Sequence, residues 1–291
     1  MQLFLLLNFS KSSNNHGIHS YVFFGCLSSA SLAIKTYSPE LMVSPFYSQK
    51  DLEDAVGDTE REELLIKNGI STIGKAMERL HCLIIGPGLG RDVRVGKMVT
   101  QVMKMAMGAN VPLVLDADAL YLLSLERYSS ILENRHYYSQ QNSKKQQQFL
   151  SPSPIVLTPN IVEYRRLVKA GSKLDDAIIV LKGHHDTVLT LLPHATRQRM
   201  VCREVGGMKR CGGIGDVLAG CVGAFVGWYW IGVKNMSSSQ TMLTSANNSG
   251  STSIAGSVAS AGTGGGAASA STSSGVDLSP QNVKNGEAIL K

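Results

Sequence analysis

Cys82-Leu-Ile-Ile-Gly-Pro-Gly-Leu-Gly-Arg-Asp92 is the stretch that decides the fold. Four apolar residues run into a glycine-rich turn that ends at Asp92, a residue suited to capping a helix. Val95, Met98, Val99, Val102 and Met105 then recur at helical spacing as far as Gly108. A continuous apolar run reads as a strand buried on both faces, and a turn plus an amphipathic helix behind it reads as one unit of an α/β sheet.

The same unit recurs outward. Val111–Leu115 predicts a strand, followed by a turn carrying Asp116 and Asp118 and a short helix from Ala119. Ile155–Leu157 predicts the next strand, with the turn Thr158-Pro-Asn160 and a helix through Val168. Strands follow at Ile178–Leu181, Thr187–Leu192 and Met200–Arg203, separated by the turn Gly183-His-His-Asp186. Alternation of this kind predicts a doubly wound, mostly parallel central sheet with helices on both faces. Four regions are expected: an irregular N-terminus over 1–20, an α/β domain over 21–235, a Ser/Gly/Ala-rich disordered segment over 236–275 and a short tail over 276–291. The polar stretch from Arg135 to Gln148 reads as a surface loop.

Composition narrows the function classes. The chain has 291 residues, 43% apolar and 17% charged, with 29 glycines and a net charge of +6. Collagen-like, coiled-coil and disulfide-scaffold classes are excluded. Cys26, Cys82, Cys202, Cys211 and Cys221 have no zinc-like spacing and suggest a reducing compartment, read as the cytoplasm with the mitochondrion as alternative. The basic residues form no dense run, so no nucleic-acid partner is expected, while an acidic small ligand suits the charge. The opening Met-Gln-Leu-Phe-Leu-Leu-Leu lacks the basic flank of a secretory signal. The uncharged run Val217–Val233 contains Gly223-x-x-x-Gly227 and is read as a buried core helix, with no membrane partner.

In an open α/β sheet the ligand sits at the carboxyl ends of the strands. The strongest candidate there is Gly206-Gly-Met-Lys-Arg-Cys-Gly-Gly-Ile-Gly-Asp216, leading straight into the apolar run from Val217. Glycines and a basic pair ahead of a helix make an anion cradle, because free N–H groups and the positive end of the helix dipole face the ligand. Asp216, in the first helical turn, holds a carboxylate where a substrate hydroxyl is deprotonated in phosphoryl transfer, or else merely favours the dipole. Gly69-Ile-Ser-Thr-Ile-Gly-Lys75 has phosphate-loop spacing, but Ala76 stands where a hydroxyl must reach magnesium. The Gly86–Gly90 turn lacks the third glycine of a dinucleotide fingerprint, since Arg91 occupies that place.

Leu83-Ile-Ile-Gly-Pro-Gly-Leu-Gly-Arg-Asp92, Leu115-Asp-Ala-Asp-Ala119, Leu157-Thr-Pro-Asn160 with Glu163, Lys182-Gly183 with Asp186, and Arg210-Cys-Gly-Gly-Ile-Gly-Asp216 stand in the order seen in the ATP-dependent NAD(P)H-hydrate dehydratases. The chain resembles that family, a branch of the ribokinase-like fold, over about residues 21–232, including Ile34-Lys-Thr-Tyr-Ser-Pro-Glu-Leu41. The resemblance implies ATP-dependent dehydration of the (6S) hydrates of NADH and NADPH, by phosphorylation of the hydrate hydroxyl and elimination of phosphate. It implies small-molecule substrates, ATP as co-substrate and Mg2+ as cofactor, and leaves homo-oligomerisation open. Gly90, Asn160, Ile161, Val162, Glu163, Tyr164, Arg165, Arg166 and Asp216 resemble the residues that hold the hydrated dinucleotide. Lys182, Gly183, His184, His185 and Asp186 resemble one ATP-contacting turn, and Gly207, Met208, Lys209, Arg210, Cys211, Gly212, Gly213, Ile214 and Gly215 the other. Asp216 resembles the catalytic base.

Asn160 and Glu163 resemble the Asn-x-x-Glu element that organises magnesium and its waters, and the same spacing fits a plain helix cap. His184 and His185 read as exposed turn residues, and Cys211 as a packing residue. Ile161 stands where the family commonly has histidine and Ile214 where it commonly has glutamine. The family's opening strand and helix and its C-terminal helices have no match in the sequence. A ribokinase-like small-molecule kinase and a truncated, inactive nucleotide-binding homologue are the alternative functions.

Overall fold

The structure, a computed structural model, describes residues 3–11, 18–38, 41–77, 79–133, 152–174, 176–190, 198–204, 206 and 211–248. The expected loop from Arg135 to Gln148 lies outside them. The chain divides into two compact units, Met1–Ser237 and Ser238–Lys291.

The decisive stretch folds as expected. Cys82–Ile85 is strand β4, buried along its whole length, and Val93–Gly108 is helix α4. The Asp92 side chain accepts from the Arg94 N–H at 2.8 Å at the N-terminus of α4. Beyond Gly108, Asn110 takes a left-handed φ of 54° that ends the helix. Strands β5 (Leu113–Leu115), β6 (Ile155–Leu157) and β7 (Ala177–Leu181) follow β4 in parallel. Strands β8 (Thr187–Thr190) and β9 (Gln198–Val201) extend that side antiparallel. Helix α5 (Ala117–Leu123) connects β5 onward, and α6 (Ile161–Lys169) lies between β6 and β7.

The other side holds β1 (Leu3–Lys11), β2 (Ile18–Leu27) and β3 (Met42–Tyr47), giving one sheet ordered β3-β2-β1-β4-β5-β6-β7-β8-β9. Helices α1 (Ser28–Lys35), α2 (Gln49–Asp54) and α3 (Thr59–Met77) fill the chain between β2 and β4. The phosphate-loop look-alike from Gly69 to Lys75 lies wholly within α3, so it forms no loop.

Side chains alternate across a strand, so the β4 run serves two layers. Cys82 and Ile84, with Val114 and Val156, bury one face against helix α7 (Ile214–Asn248). Leu83, Ile85, Leu113 and Leu115 face the opposite way and are equally buried. Helix α4 touches β5 and carries the buried stripe Val95, Met98, Val99, Val102 and Met103.

Three sequence expectations are corrected. Residues 1–20 are not wholly irregular: β1 pairs antiparallel with β2 and, from Phe4 opposite Ile85 to Leu7 opposite Cys82, with β4. The exposed N–H and C=O groups along β4 need partners, and the apolar run Leu3–Leu7 supplies them in extended form. The 236–275 segment is not disordered from its start, because α7 continues to Asn248. No glycine or proline interrupts the chain between Lys234 and Gly250, so nothing stops the helix earlier. Residues 249–275 and the 276–291 tail lie outside the described residues.

The third correction concerns Val217–Val233, which is not a fully buried core helix. Ala219, Gly223, Gly227 and Trp230 form its buried line, the first three small enough to let the backbone approach the sheet. The Trp230 indole N–H donates to the Asn110 carbonyl at 3.1 Å, fixing α7 to the end of α4. Val217, Phe225 and Tyr229 remain exposed on the other side. The segment Ile214–Asn235 is long and apolar enough to cross a membrane, and 22% of it is buried here.

Gly86 joins β4 to its turn at φ 131°, and a Cβ there would collide with the Asp116 carbonyl oxygen. Gly86→Ala is therefore expected to cost about 3 kcal/mol or more of stability, from backbone strain and displacement of the β5 turn together. Urea unfolding followed by circular dichroism measures it; a loss below about 1 kcal/mol contradicts this packing.

Candidate active site

Parallel pairing places four turns side by side. Ile85, Leu115, Leu157 and Ile179 are in register across β4–β7, so Gly86, Asp116 and Thr158 emerge together at the carboxyl edge. The row continues two residues further through a parallel bridge between Asn160 and Lys182, with the Lys182 N–H donating to the Pro159 carbonyl at 2.8 Å. Thr158 is fully buried, and its hydroxyl has no hydrogen-bond partner among the described residues. A group of this kind is a ready contact for a bound ligand or water.

Helix α7 begins beside this row. Gly213 takes a φ of 82° and its carbonyl accepts from the Val217 N–H at 3.1 Å, closing the first turn with Asp216 in it. The Lys182 ammonium donates to the Asp116 carboxylate at 2.8 Å, with Asp116 almost wholly buried. A Cβ built on Gly215 would stand 3.4 Å from that ammonium nitrogen and 3.9 Å from the Asp116 carboxylate, so cation, carboxylate and helix start form one cluster. Asp216 is solvent-exposed, yet its carboxyl is raised above the ordinary range. Partial desolvation raises it first and the Asp116 charge next, while Lys182 pulls it down. A raised carboxyl beside a cation and free helix N–H groups suits proton removal next to a developing polyanion.

Beside this cluster the row forms a cavity of about 170 Å³ lined by Arg91, Ala117, Asp118, Tyr121, Asn160, Val162, Glu163 and Arg166. The Gly90 N–H donates to Asp118 at 2.9 Å, and the Arg91 guanidinium lies 3.7 Å from the same carboxylate. Arg91 and Arg166 stand 4.2 Å and 5.9 Å from the centre of the Tyr121 ring. Of the expected dinucleotide contacts, Asn160, Val162, Glu163 and Arg166 line this cavity and Gly90 touches its Asp118 wall. Ile161 and Arg165 do not line it, and Tyr164 is buried in the core instead, because a helix turns only part of its circumference toward one cavity.

Asn160 and Glu163 are engaged as a cap. The Asn160 side-chain oxygen accepts from the Val162 and Glu163 N–H groups at 2.9 and 3.0 Å, and Glu163 accepts from the Asn160 N–H at 2.8 Å. Among the described residues no three His, Cys, Asp or Glu side chains converge as a metal cage. The cap occupies the Asn160 oxygen and one Glu163 oxygen, which suits contact with a magnesium ion through water, as the resemblance implies.

Asp186 accepts from the Gly183 N–H at 2.9 Å and closes the turn after β7. His184 and His185 are exposed, their rings 4.6 Å apart. Gly212 and Ile214 are exposed at the start of α7. Cys211 is exposed as well, which corrects its reading as a packing residue: Gly212 and Gly213 after it carry no side chains to cover it. Gly207, Met208, Lys209 and Arg210 lie outside the described residues.

Sequence reasoning missed Arg91, Asp118 and Tyr121. Asp118 and Tyr121 are three apart on α5 and so share a face, a signal available once that helix starts at Ala117 rather than Ala119.

A family model described as NAD(P)H-hydrate dehydratase matches residues 12–264. Proteins named ATP-dependent (S)-NAD(P)H-hydrate dehydratase align from several organisms. The one from Vitis vinifera is 34% identical over 72% of this chain and 56% of its own length. Those from Schizosaccharomyces pombe and Ajellomyces capsulatus are 32% and 31% identical, over 72% and 70% of this chain and 58% and 55% of theirs. The chain thus spans a little over half the length of these curated relatives. With the ordered motifs lying at the carboxyl edge of a parallel sheet, this match establishes that the chain belongs to the NAD(P)H-hydrate dehydratase family.

Proposed function

We propose that the protein dehydrates the (6S) hydrates of NADH and NADPH at the expense of ATP. The observation that carries this reading is the meeting of Lys182, Gly215 and Asp216 at the start of α7, beside an open cavity that holds two arginines around Tyr121. The names of the relatives support the substrate and the nucleotide. Hydroxide is a poor leaving group and phosphate a good one, which is the chemical reason to couple a dehydration to ATP.

In this reading Asp216 takes the proton of the hydrate hydroxyl, whose oxygen forms a bond to the γ-phosphorus as the bond to ADP breaks. The C–O bond then breaks with loss of a ring proton, releasing phosphate and the reduced nicotinamide. The N–H groups of the first turn of α7 and the Lys182 ammonium face the charge that develops on the transferred group. Arg91 and Arg166 offer the dinucleotide's phosphates two cations gathered around one aromatic ring. Magnesium carried in with ATP would neutralise phosphate charge, and Glu163, engaged in the α6 cap, would act on it through water.

Purified protein given ATP and the hydrate is expected to restore the near-ultraviolet absorbance of reduced nicotinamide, and to do nothing without ATP. Asp216→Ala is expected to lower turnover by about 1,000-fold with ATP affinity changed less than about threefold. Wild-type-like turnover in that variant removes the base from Asp216.

The raised Asp216 carboxyl has a second consequence. The folded chain binds this proton more tightly than the unfolded one, so the ionised group detracts from stability above its folded pKa. That penalty fades as pH falls from the folded pKa toward the ordinary value of about 4 and is gone below it. Asp216→Asn is expected to raise the melting temperature near pH 8 and to lose that advantage near pH 3; an advantage that grows on acidification contradicts the shift.

A further inference from the structure

Asp116 occupies the N-cap position of α5, where an aspartate ordinarily accepts from a backbone N–H of the first turn, worth about 0.5–2 kcal/mol. It makes no such bond. Its carboxylate turns into the protein and accepts from the Lys182 ammonium at 2.8 Å, across 66 residues of sequence. The residue is 1% exposed, whereas the Lys182 side chain keeps 21% of its surface open toward the start of α7. The backbone is bent to permit this: Ala117, directly after Asp116, takes a left-handed φ of 45° that a non-glycine residue rarely adopts. The Asp116 carbonyl is meanwhile pressed against Gly86, and its N–H donates to the Ile85 carbonyl at 3.0 Å, so its backbone is anchored on β4. A helix cap forgone, a strained neighbour and a glycine that must stay a glycine all serve one carboxylate position.

We infer that Asp116 is a positioning residue, which holds the Lys182 ammonium against Gly215 at the phosphate-binding start of α7. The inference rests on the reading of this site as an ATP site, and it concerns the lysine's geometry rather than the dehydration. An unheld lysine has four rotatable bonds and spreads its charge through solvent; one fixed by a buried carboxylate presents its remaining protons in one direction. The two roles open to Asp116 differ in sign. As a bare negative charge close to a polyanion it opposes nucleotide binding, and its removal tightens ATP. As the support of Lys182 it favours binding, and its removal weakens ATP only while the lysine is present.

ATP affinity is measured by titration calorimetry in magnesium buffer for the unaltered chain, Asp116→Asn, Lys182→Met and the double variant, each checked for folding by thermal melting. Asp116→Asn is expected to weaken ATP about 10-fold on its own and to cause no further weakening beside Lys182→Met. Asp116→Glu keeps the charge but displaces the ammonium by one methylene; it is expected to weaken ATP too, and serves if the asparagine variant fails to fold. Tighter ATP in Asp116→Asn, equal losses with and without Lys182, or wild-type affinity in Asp116→Glu overturns the inference. ATP binding that follows the expected pattern without turnover of the hydrate leaves Asp116 in its role and removes the dehydratase reading instead. A chain that binds no ATP overturns both.

Discussion

Parallel pairing of β4, β5, β6 and β7 is the constraint on which everything else depends. It brings four strand ends to one edge, so residues far apart in sequence become neighbours there. A slip of one residue in any pair would turn the buried side chains of a strand to its opposite face, and these strands are apolar throughout. With both faces apolar, the register is held at the strand ends, where Asp116, Thr158 and Lys182 N–H groups donate to the Ile85, Leu115 and Pro159 carbonyls, and the site inherits its geometry from those bonds. The Gly86 and Asp116 backbones interlock at the edge itself, and the Asp118 carboxylate accepts from the Gly90 N–H, so the β4 turn and the acidic turn are coupled twice.

The site built on this edge divides into two. In one part Lys182, Asp116 and the first turn of α7 concentrate charge around a helix start. In the other, beside it, Arg91, Arg166 and Tyr121 line a small open cavity, with Asp118 bound to the Gly90 backbone. Helix α7 bears on the first part only through its opening turn. From Ala219 to Trp230 it lies on the sheet by a narrow line of small residues closed by Trp230, with an apolar side uncovered among the described residues.

Much of this was legible in the sequence, and the exceptions share a cause. The runs Cys82–Ile85 and Ile155–Leu157 read correctly because full burial leaves an unbroken apolar signature, and the caps at Asp92 and Asn160 because capping is local. What escaped depends on distance in sequence. The first strand takes its meaning from an edge some 75 residues away, roughly the separation of Leu7 and Cys82. Asp116 was visible as part of a motif, but its partner lies 66 residues further along the chain, and no local pattern could say that its carboxylate forgoes the helix for a lysine. The glycine-rich turn announced an anion cradle, yet the cation fixed beside it by a buried carboxylate is Lys182, which came only as an ATP contact from the family resemblance.

The central claim is that the hydrate oxygen itself is phosphorylated at the start of α7 and leaves as phosphate. Oxygen-18 placed in the hydrate hydroxyl tests it most directly, with the released phosphate analysed by mass spectrometry. The account predicts that each phosphate formed carries the label, in equal amount to the reduced nicotinamide produced. Unlabelled phosphate alongside labelled water would mean that ATP hydrolysis and dehydration proceed separately, and would contradict it.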